Sequence, residues 1–399
     1  MRLLPLTYAA RNLGRSPARL AMSVGGAFLV SLLAMGGMAF VLGMDGALRA
    51  SGHPRNVVLL GAGSEESAER SEIAASTPGV VVASLRGIAT IDGMPLASPE
   101  INVALTVDAG ATDGGGKPST GLVRGITPAA FLVHPQVRMV AGRAPEAGSD
   151  EVALGRSAAR AAGLDPDLVA RDLADDGTGG PTVSIDGRPF RVVGAFDARG
   201  TVMDGEAWMP IGDALVLTKR ETVSAVIVAL APGATPGQVD AFAQRRVDLE
   251  LSAIHEPEYY AVQAAFYRPV QAMVLASAAL VAAGALLGGL NTMYAAFASR
   301  IREIAMLQVI GFGRAAVVAS MVQESLIASM AGALFAAVAA VALLDGRAVQ
   351  FSMGTFGLAV DERVIATGLA AGLLTAVAGC VMPAVRCMRM SIPAALKSD

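Results

Sequence analysis

Long uncharged stretches alternate along this chain with regions of mixed polarity. Leu20 to Met44 carries no charge over 25 residues, Pro269 to Ser299 none over 31, and Val364 to Val385 none over 22. Ala315 to Leu344 carries one, Glu324. A bilayer core needs about 20 apolar residues in a helix, so each stretch is long enough to cross. Between the first and second lie about 220 residues with a different rhythm. There, "RNVVLL" (55–60) reads as a strand, "SEESAERSEIAAS" (64–76) as a helix capped by Ser64, and "GVVVASLRGIATI" (79–91) as a second strand. A Gly-rich turn at 110–116 precedes strands near 121–126 and 137–140. Residues 150–164 read as a strand running into a helix, and 181–196 as a hairpin turning at Asp186-Gly187, a pair suited to a left-handed two-residue turn. Strand 223–230, helix 235–248 and strand 249–256 follow.

The expected fold class is an α-helical membrane protein with four transmembrane helices plus a large extracytoplasmic α/β domain. The expected organisation runs from a cytoplasmic amphipathic lead-in helix (1–19) through the first span (20–44) to the exported domain (45–267), with a β-rich insertion at about 131–220. A second span and stalk (268–298), a cytoplasmic helix (299–314), a third span (315–344), a short outer loop (345–363), a fourth span (364–385) and a cytoplasmic tail (386–399) complete it.

Composition agrees with membrane residence: 53% of residues are hydrophobic, the mean hydropathy is +0.54, and only 16% are charged against roughly 25% in an average soluble domain. The charges set the orientation. Arg2, Arg11, Arg15 and Arg19 precede the first span without an acid. Arg300, Arg302 and Arg314 lie with Glu303 between the second and third spans, and Arg386, Arg389 and Lys397 with Asp399 follow the last. These three basic pieces share the cytoplasmic side. Asp45 to Tyr267, with 18 basic and 28 acidic residues, lies outside. The first apolar run exceeds the 7–15 residues of a signal-peptide core and no A-x-A site follows it, which points to an uncleaved anchor. Cys380 and Cys387 fall at the inner end of the last span and the exported domain has no cysteine, so no disulfide framework is expected.

Catalytic constellations are hard to find. His53, His134 and His255 are the only histidines and lie far apart in sequence; His255 beside Glu256 and Glu258 reads as a solvated acidic turn. "GGGKPST" (114–120) imitates a phosphate-binding loop, but Ala111 replaces its first Gly and Pro118 its Ser/Thr, and it faces outward. No catalytic, metal or cofactor residue is assigned in this chain, and no nucleic-acid partner is expected. Tyr259, Tyr260, Phe266 and Tyr267 suit either the membrane interface or packing of the exported domain onto its stalk. Gly284 with Gly288 and Gly368 with Gly372 permit close helix approach, and Glu324 is expected to face the bundle interior or a partner.

Four stretches resemble the permease subunits of the macrolide-efflux (MacB-like) and lipoprotein-releasing ABC transporters, with FtsX-type cell-division proteins as distant relatives. They are "RNLGRSPARLAMSVGG", "GRAPEAGSDEVALGRSAARAAGL" with "FRVVGAF", "SRIREIAMLQVIGFGRAAVVASMVQES", and "MPAVRCMRMSIPAALK". Ser299 stands where the family often has Glu, and Ala305 where it often has Gly. The resemblance implies a bacterial inner-membrane permease with cytoplasmic termini, a periplasmic domain and no ATPase of its own. It implies a partner ABC ATPase in two copies that binds ATP and Mg²⁺, a second permease copy or paralogue, membrane lipids, and in some branches a periplasmic adaptor and outer-membrane component. The implied function is mechanotransmission: ATP hydrolysis drives an extracytoplasmic change that exports or extracts an amphipathic substrate, lipoprotein, lipid, peptide or drug. The alternative is an FtsX-like signalling subunit that regulates a cell-wall hydrolase. Residues 299–314 become the ATPase-coupling helix, with Arg300, Arg302 and Glu303 docking polar surface, Ile304, Leu307 and Ile310 filling a groove, and Gly311 ending the helix.

Overall fold

The computed structural model describes residue 14 and residues 17–108, 119–173, 178–298, 301–351 and 354–388. The lead-in segment except Gly14 and residues 17–19, the GGGKPST stretch up to Pro118, Ser299, Arg300, and the tail from Arg389 lie outside the described residues.

In chain order, α1 (Pro17–Ser51) leads to β1 (Asn56–Gly61), α2 (Thr77–Ser84), β2 (Ala97–Asp108), β3 (Ser119–Ile126), α3 (Ala130–Val133), β4 (Arg138–Gly142) and β5 (Glu151–Gly155). Then come α4 (Arg156–Ala161), α5 (Pro166–Asp172), β6 (Thr182–Ile185), β7 (Arg188–Asp197), β8 (Glu206–Pro210), α6 (Ile211–Thr218), β9 (Ala225–Ala229), α7 (Pro236–Arg245) and β10 (Leu251–His255). The chain ends through α8 (Glu256–Phe266), α9 (Arg268–Ala298), α10 (Ile301–Val309), α11 (Arg314–Leu343), the hairpin β11 (Ala348–Phe351) and β12 (Gly354–Gly357), and α12 (Glu362–Met388). It divides into two units: Gly43–Arg268 with Ala348–Gly357, and Met1–Leu42 with Pro269–Arg347 and Leu358–Asp399.

The first unit is built on one ten-stranded sheet in the order β10-β1-β9-β2-β3-β8-β5-β7-β4, with β6 pairing both β7 and β2. Those last pairings close a ring: Val107 and Asp108 of β2 meet Ile185 and Ser184 of β6, while β6 pairs β7 across the Asp186-Gly187 turn. Both turn residues have positive φ (49° and 78°), the geometry that directs a tight hairpin. The ring interior is dry, filled by Ile101, Val123, Leu154, Val183, Ile185, Phe190 and Val192. Strands β2 and β3 lie outside the 131–220 segment yet belong to the ring. The strands of that segment thus share one sheet with β2 and β3.

Two local expectations reverse. Residues 64–76 form turns, a 3-10 turn at Ala68–Arg70 and a two-residue strand at Ile73–Ala74 instead of a helix. The β-branched run at 79–84 is helical, not a strand. Pro78 in the first turn of α2 supplies the helical φ, Ser76 precedes it as the N-cap residue, and burial of Thr77 and Val81 fixes the inward side.

Among the described residues four helices are long and apolar enough to cross a membrane. α9 alone runs 31 residues, about 46 Å at 1.5 Å per residue. α11 and α12 pack along each other, and glycine sets how closely both approach α1: a Cβ on Gly332 would stand 2.3 Å from the Val24 carbonyl oxygen. On Gly372 it would stand 2.8 Å from Ser31 Oγ, and on Gly368 2.2 Å from the Met35 side chain. On Gly284 or Gly288 it would meet no atom within 4 Å, so packing inside this chain places no demand for glycine there. Gly332, whose neighbour is backbone rather than a flexible side chain, is the most constrained of these; it lies in the small-xxx-small run Ala328, Gly332, Ala336, which sequence reasoning did not single out.

Candidate functional site

Two places carry polar chemistry that the fold alone does not require. The first is α10, nine residues between two helices of membrane length. Its exposed residues are Arg302, Glu303, Met306, Val309 and Ile310, a set spaced to lie on one side of a helix. Ala305 is buried on the opposite side. The helix closes as a Schellman motif: the Phe312 N–H donates to the Leu307 carbonyl at 3.1 Å and the Gly311 N–H to Gln308 at 3.1 Å. Gly311 occupies the left-handed position, φ 104°, that the motif reserves for glycine.

One residue of the expected groove-filling set is engaged within the chain itself. Leu307 does not point outward; with Phe312 it packs on a buried cluster of Val317, Met321, Cys380 and Ala384. The outward apolar surface is instead Met306, Val309 and Ile310, which are 48%, 65% and 75% exposed. The Ile304 side chain and Arg300 lie outside the described residues. Glu324, on α11, is buried in the second unit near Cys380.

The second place is a buried ionic cluster inside the exported unit, which sequence reasoning missed. Arg124, central in β3, pairs across the sheet with Asn102 of β2 on one side and Trp208 of β8 on the other. It grips Glu206 with two bonds, Nε to Oε2 and Nη2 to Oε1, both 2.6 Å, and Nη1 reaches Glu100. Trp208 Nε1 donates to Glu206 at 2.7 Å, and the guanidinium stands over the indole at 5.9 Å. On the other side of Glu100, His134 sets Nε2 2.8 Å from Oε1, while its Nδ1 lies 3.7 Å from Glu256 Oε1. Glu256 Oε2 in turn accepts from the His53 N–H at 2.8 Å and from Asn56 Nδ2 at 3.0 Å. All five ionisable side chains are essentially out of contact with solvent.

The Glu256 bonds place the cluster at the junction where the chain enters and leaves the exported unit. His53 and Asn56 follow directly on α1, and Glu256 opens α8. Gly52 is needed here, because a Cβ would fall 2.7 Å from Pro257 Cα and 2.9 Å from Pro257 N. The end of α1 is further held by the Val202 N–H donating to Ser51 Oγ (2.9 Å) and Gln136 Nε2 donating to the Ser51 carbonyl (3.0 Å). Tyr259, Tyr260 and Tyr267 turn into the exported unit, whereas Phe266 is exposed, so three of the four aromatics serve packing. His255 bonds the Pro54 carbonyl at 2.8 Å, and Glu256, read from sequence as part of a solvated turn, is buried.

Burial opposes charge at Glu100, His134 and Glu256, and its balance against the neighbours decides the outcome. For Glu100, burial is outweighed by His134 and Arg124, which hold its carboxyl at about 2. For His134, burial is outweighed by Glu100 and then Glu256, which raise it above the ordinary histidine value. For Glu256, burial prevails over His134 and the bonds from His53 and Asn56, and the carboxyl is raised. Beside it lies a cavity of about 50 Å³ lined in part by Arg124, Glu206, Glu256, Tyr260, Gln263 and Asn102, whose buried Oδ1 has no hydrogen-bond partner among the described residues. Among the described residues no group of three or more His, Cys, Asp or Glu is arranged to hold a metal ion.

The only sequence signal for this cluster was charge interrupting apolar strand patterns: Glu100 and Asn102 in "SPEINVAL", Arg124 in "GLVRGI", Glu206 in "GEAWMP". Such residues are ordinarily solvated, and only the strand order shows them sharing a face.

Residues 19–245 match the family described as MacB-like periplasmic core domain, and residues 275–392 match the FtsX-like permease C-terminal family. Among solved structures, the chain is similar to the periplasmic region of MacB from Actinobacillus actinomycetemcomitans, at 16% identity over 52% of this chain and 92% of that one, with a TM-score of 0.38. It is also similar to the extracellular domain of the noncanonic ABC-type transporter YknZ from Gram-positive bacteria, at 14% identity over 50% of this chain and 99% of that one, with a TM-score of 0.35. No curated protein sequence matches the chain.

Proposed function

The chain belongs to the MacB-like, FtsX-like permease family of ABC transporters, and from that premise we propose that it couples a separate cytoplasmic ATPase to a domain outside the inner membrane. α1, α9, α11 and α12 cross the bilayer with both termini cytoplasmic, in keeping with the basic segments that flank them. The ATPase, in two copies carrying ATP and Mg²⁺, docks on α10. Its closure moves the helices continuous with α1 and α8, and the exported unit transmits that motion to an amphipathic substrate.

The observation that carries this reading is the exposed face of α10. Apolar surface at Met306, Val309 and Ile310, flanked by Arg302 and Glu303, has the make-up of a helix that seats in a partner's groove. The opposite side, Ala305 and Leu307, anchors the helix to its own unit. A second permease copy is supported by α9, whose most apolar window has no buried residue while those of α1, α11 and α12 each bury a third or more.

The test substitutes Ile310→Asp in the full chain co-produced with its partner ABC ATPase. Membrane levels of the permease should stay at wild type while co-purified ATPase falls at least about tenfold, the equivalent of one lost apolar anchor at 1.4 kcal/mol. Glu303→Lys should act in the same direction. A normal amount of ATPase on both variants would remove the docking role from α10.

A further inference from the structure

The buried cluster has an unbalanced charge, and the imbalance has one outlet. Glu100 from β2, Glu206 from β8 and Glu256 from α8 face a single permanent cation, Arg124 from β3. Asn56 from β1, Trp208 from β8, Tyr260 from α8 and His53 from the turn after α1 complete the surroundings and add no fixed charge. Without help the cluster would carry two excess negative charges in a site closed to water, a costly state. His134 stands where a proton halves it. Its Nε2 faces the acceptor-only carboxylate of Glu100 at 2.8 Å and therefore keeps its hydrogen. The proton that comes and goes belongs to Nδ1, which has no hydrogen-bond partner among the described residues and points at Glu256 Oε1 from 3.7 Å.

We propose that His134 and Glu256 form a proton-operated latch at the junction between the exported unit and the ends of α1 and α8. With Nδ1 protonated, the imidazolium bridges Glu100 and Glu256 and holds the start of α8, and through His53 and Asn56 the exit of α1, against the sheet. When Nδ1 gives up its proton to water, Glu256 faces Glu100 and Glu206 without a countercharge and the junction loosens. The adjoining cavity of about 50 Å³ exceeds the roughly 10–15 Å³ that a water molecule requires. Asn102 Oδ1 offers such a water an acceptor, and Glu256, which lines the cavity as His134 does not, relays the proton between Nδ1 and that water. The latch is closed on the acidic side and opens as pH rises through a midpoint above that of a free histidine. It depends on the geometry of the exported unit alone and not on ATPase docking.

The chain carries its own reporter. Trp208 is its only tryptophan, fully buried, with its ring centroid 6.1 Å from that of His134 in an edge-on arrangement. Tryptophan emission of the full chain in detergent micelles, titrated from pH 5.5 to 9.5 without ATPase, should show one transition, dimmer on the acidic side where the imidazolium quenches. His134→Gln should abolish it, Glu256→Gln should move its midpoint to lower pH, and His53→Gln should leave it in place. Hydrogen exchange at 52–57 and 255–260, corrected for its intrinsic pH dependence, should quicken about tenfold across the transition in the wild type and not in Glu256→Gln. A flat wild-type titration, or one that survives His134→Gln, overturns the latch. Should His134→Gln fail to fold, an unmoved midpoint in Glu256→Gln overturns it equally.

Discussion

Arg124→Met removes the one permanent cation of the buried cluster while keeping most of the side chain's length. Three charge-assisted bonds vanish, two to Glu206 at 2.6 Å and one to Glu100, and every partner is at most 7% exposed. Removing one partner of a buried pair leaves an uncompensated charge and costs about 3–5 kcal/mol. With a urea dependence of about 3 kcal/mol per molar for a unit of this size, the unfolding midpoint should fall by about 1–1.7 M. The assay is urea unfolding of the full chain in micelles followed by Trp208, which sits in the cluster and reports the exported unit. The same reasoning makes a second demand. Most of the loss comes from stranding Glu206, so Glu206→Gln in the Arg124→Met background should recover at least about 1 kcal/mol rather than add a further cost. A midpoint change under about 0.3 M for Arg124→Met, or costs that simply add in the double variant, would refute the claim that the cluster is an electrostatic unit.

Helix packing and acid stability supply further tests. Gly332→Ala forces a Cβ to within 2.3 Å of the Val24 carbonyl oxygen and should destabilise the helical unit by about 1–3 kcal/mol. Gly284→Ala, with open space around it, should instead gain up to about 1 kcal/mol of helix propensity; thermal unfolding in one detergent compares the two. Glu151, buried and bound by Arg143 at 2.7 and 2.8 Å and by Arg191 at 2.7 Å, is held at about 2, chiefly by Arg143. Its folded value lies below its unfolded one, so its contribution is complete above about pH 4.5 and is lost as pH falls toward 2. The urea midpoint should decline over that window, and Glu151→Gln should flatten the decline.

The legibility of this protein in its residues is uneven, for reasons that can be traced. The Asp186-Gly187 hairpin and the strand-to-helix passage at 151–161 follow from local chemistry, a left-handed turn pair and a change of apolar period. Residues 64–84 misled because β-branched valines and a charged, helix-favouring run each have weak propensities, which Pro78 and burial of Val81 override. Leu307 misled because helical spacing names a face but not which side of it meets the chain's own core. The Schellman closure at Gly311 turns Leu307 inward and leaves Val309 and Ile310 outside.

Length without charge, the bias of arginine between segments and the order of the motifs are properties of the chain read in one dimension, and they were enough to identify the permease family and to expect four membrane-length helices around one large domain. The ring of six strands, the closeness at Gly332 and the meeting of Glu100, Arg124, His134, Glu206 and Glu256 depend on pairings between residues as many as 308 positions apart. No local pattern encodes such pairings, because each of these side chains alone reads as ordinary surface polarity. The strand order places Glu100, Arg124 and Glu206 on one face, and the packing of the turn after α3 and the start of α8 brings His134 and Glu256 to it, out of water, where a single proton on His134 changes the balance of the whole junction.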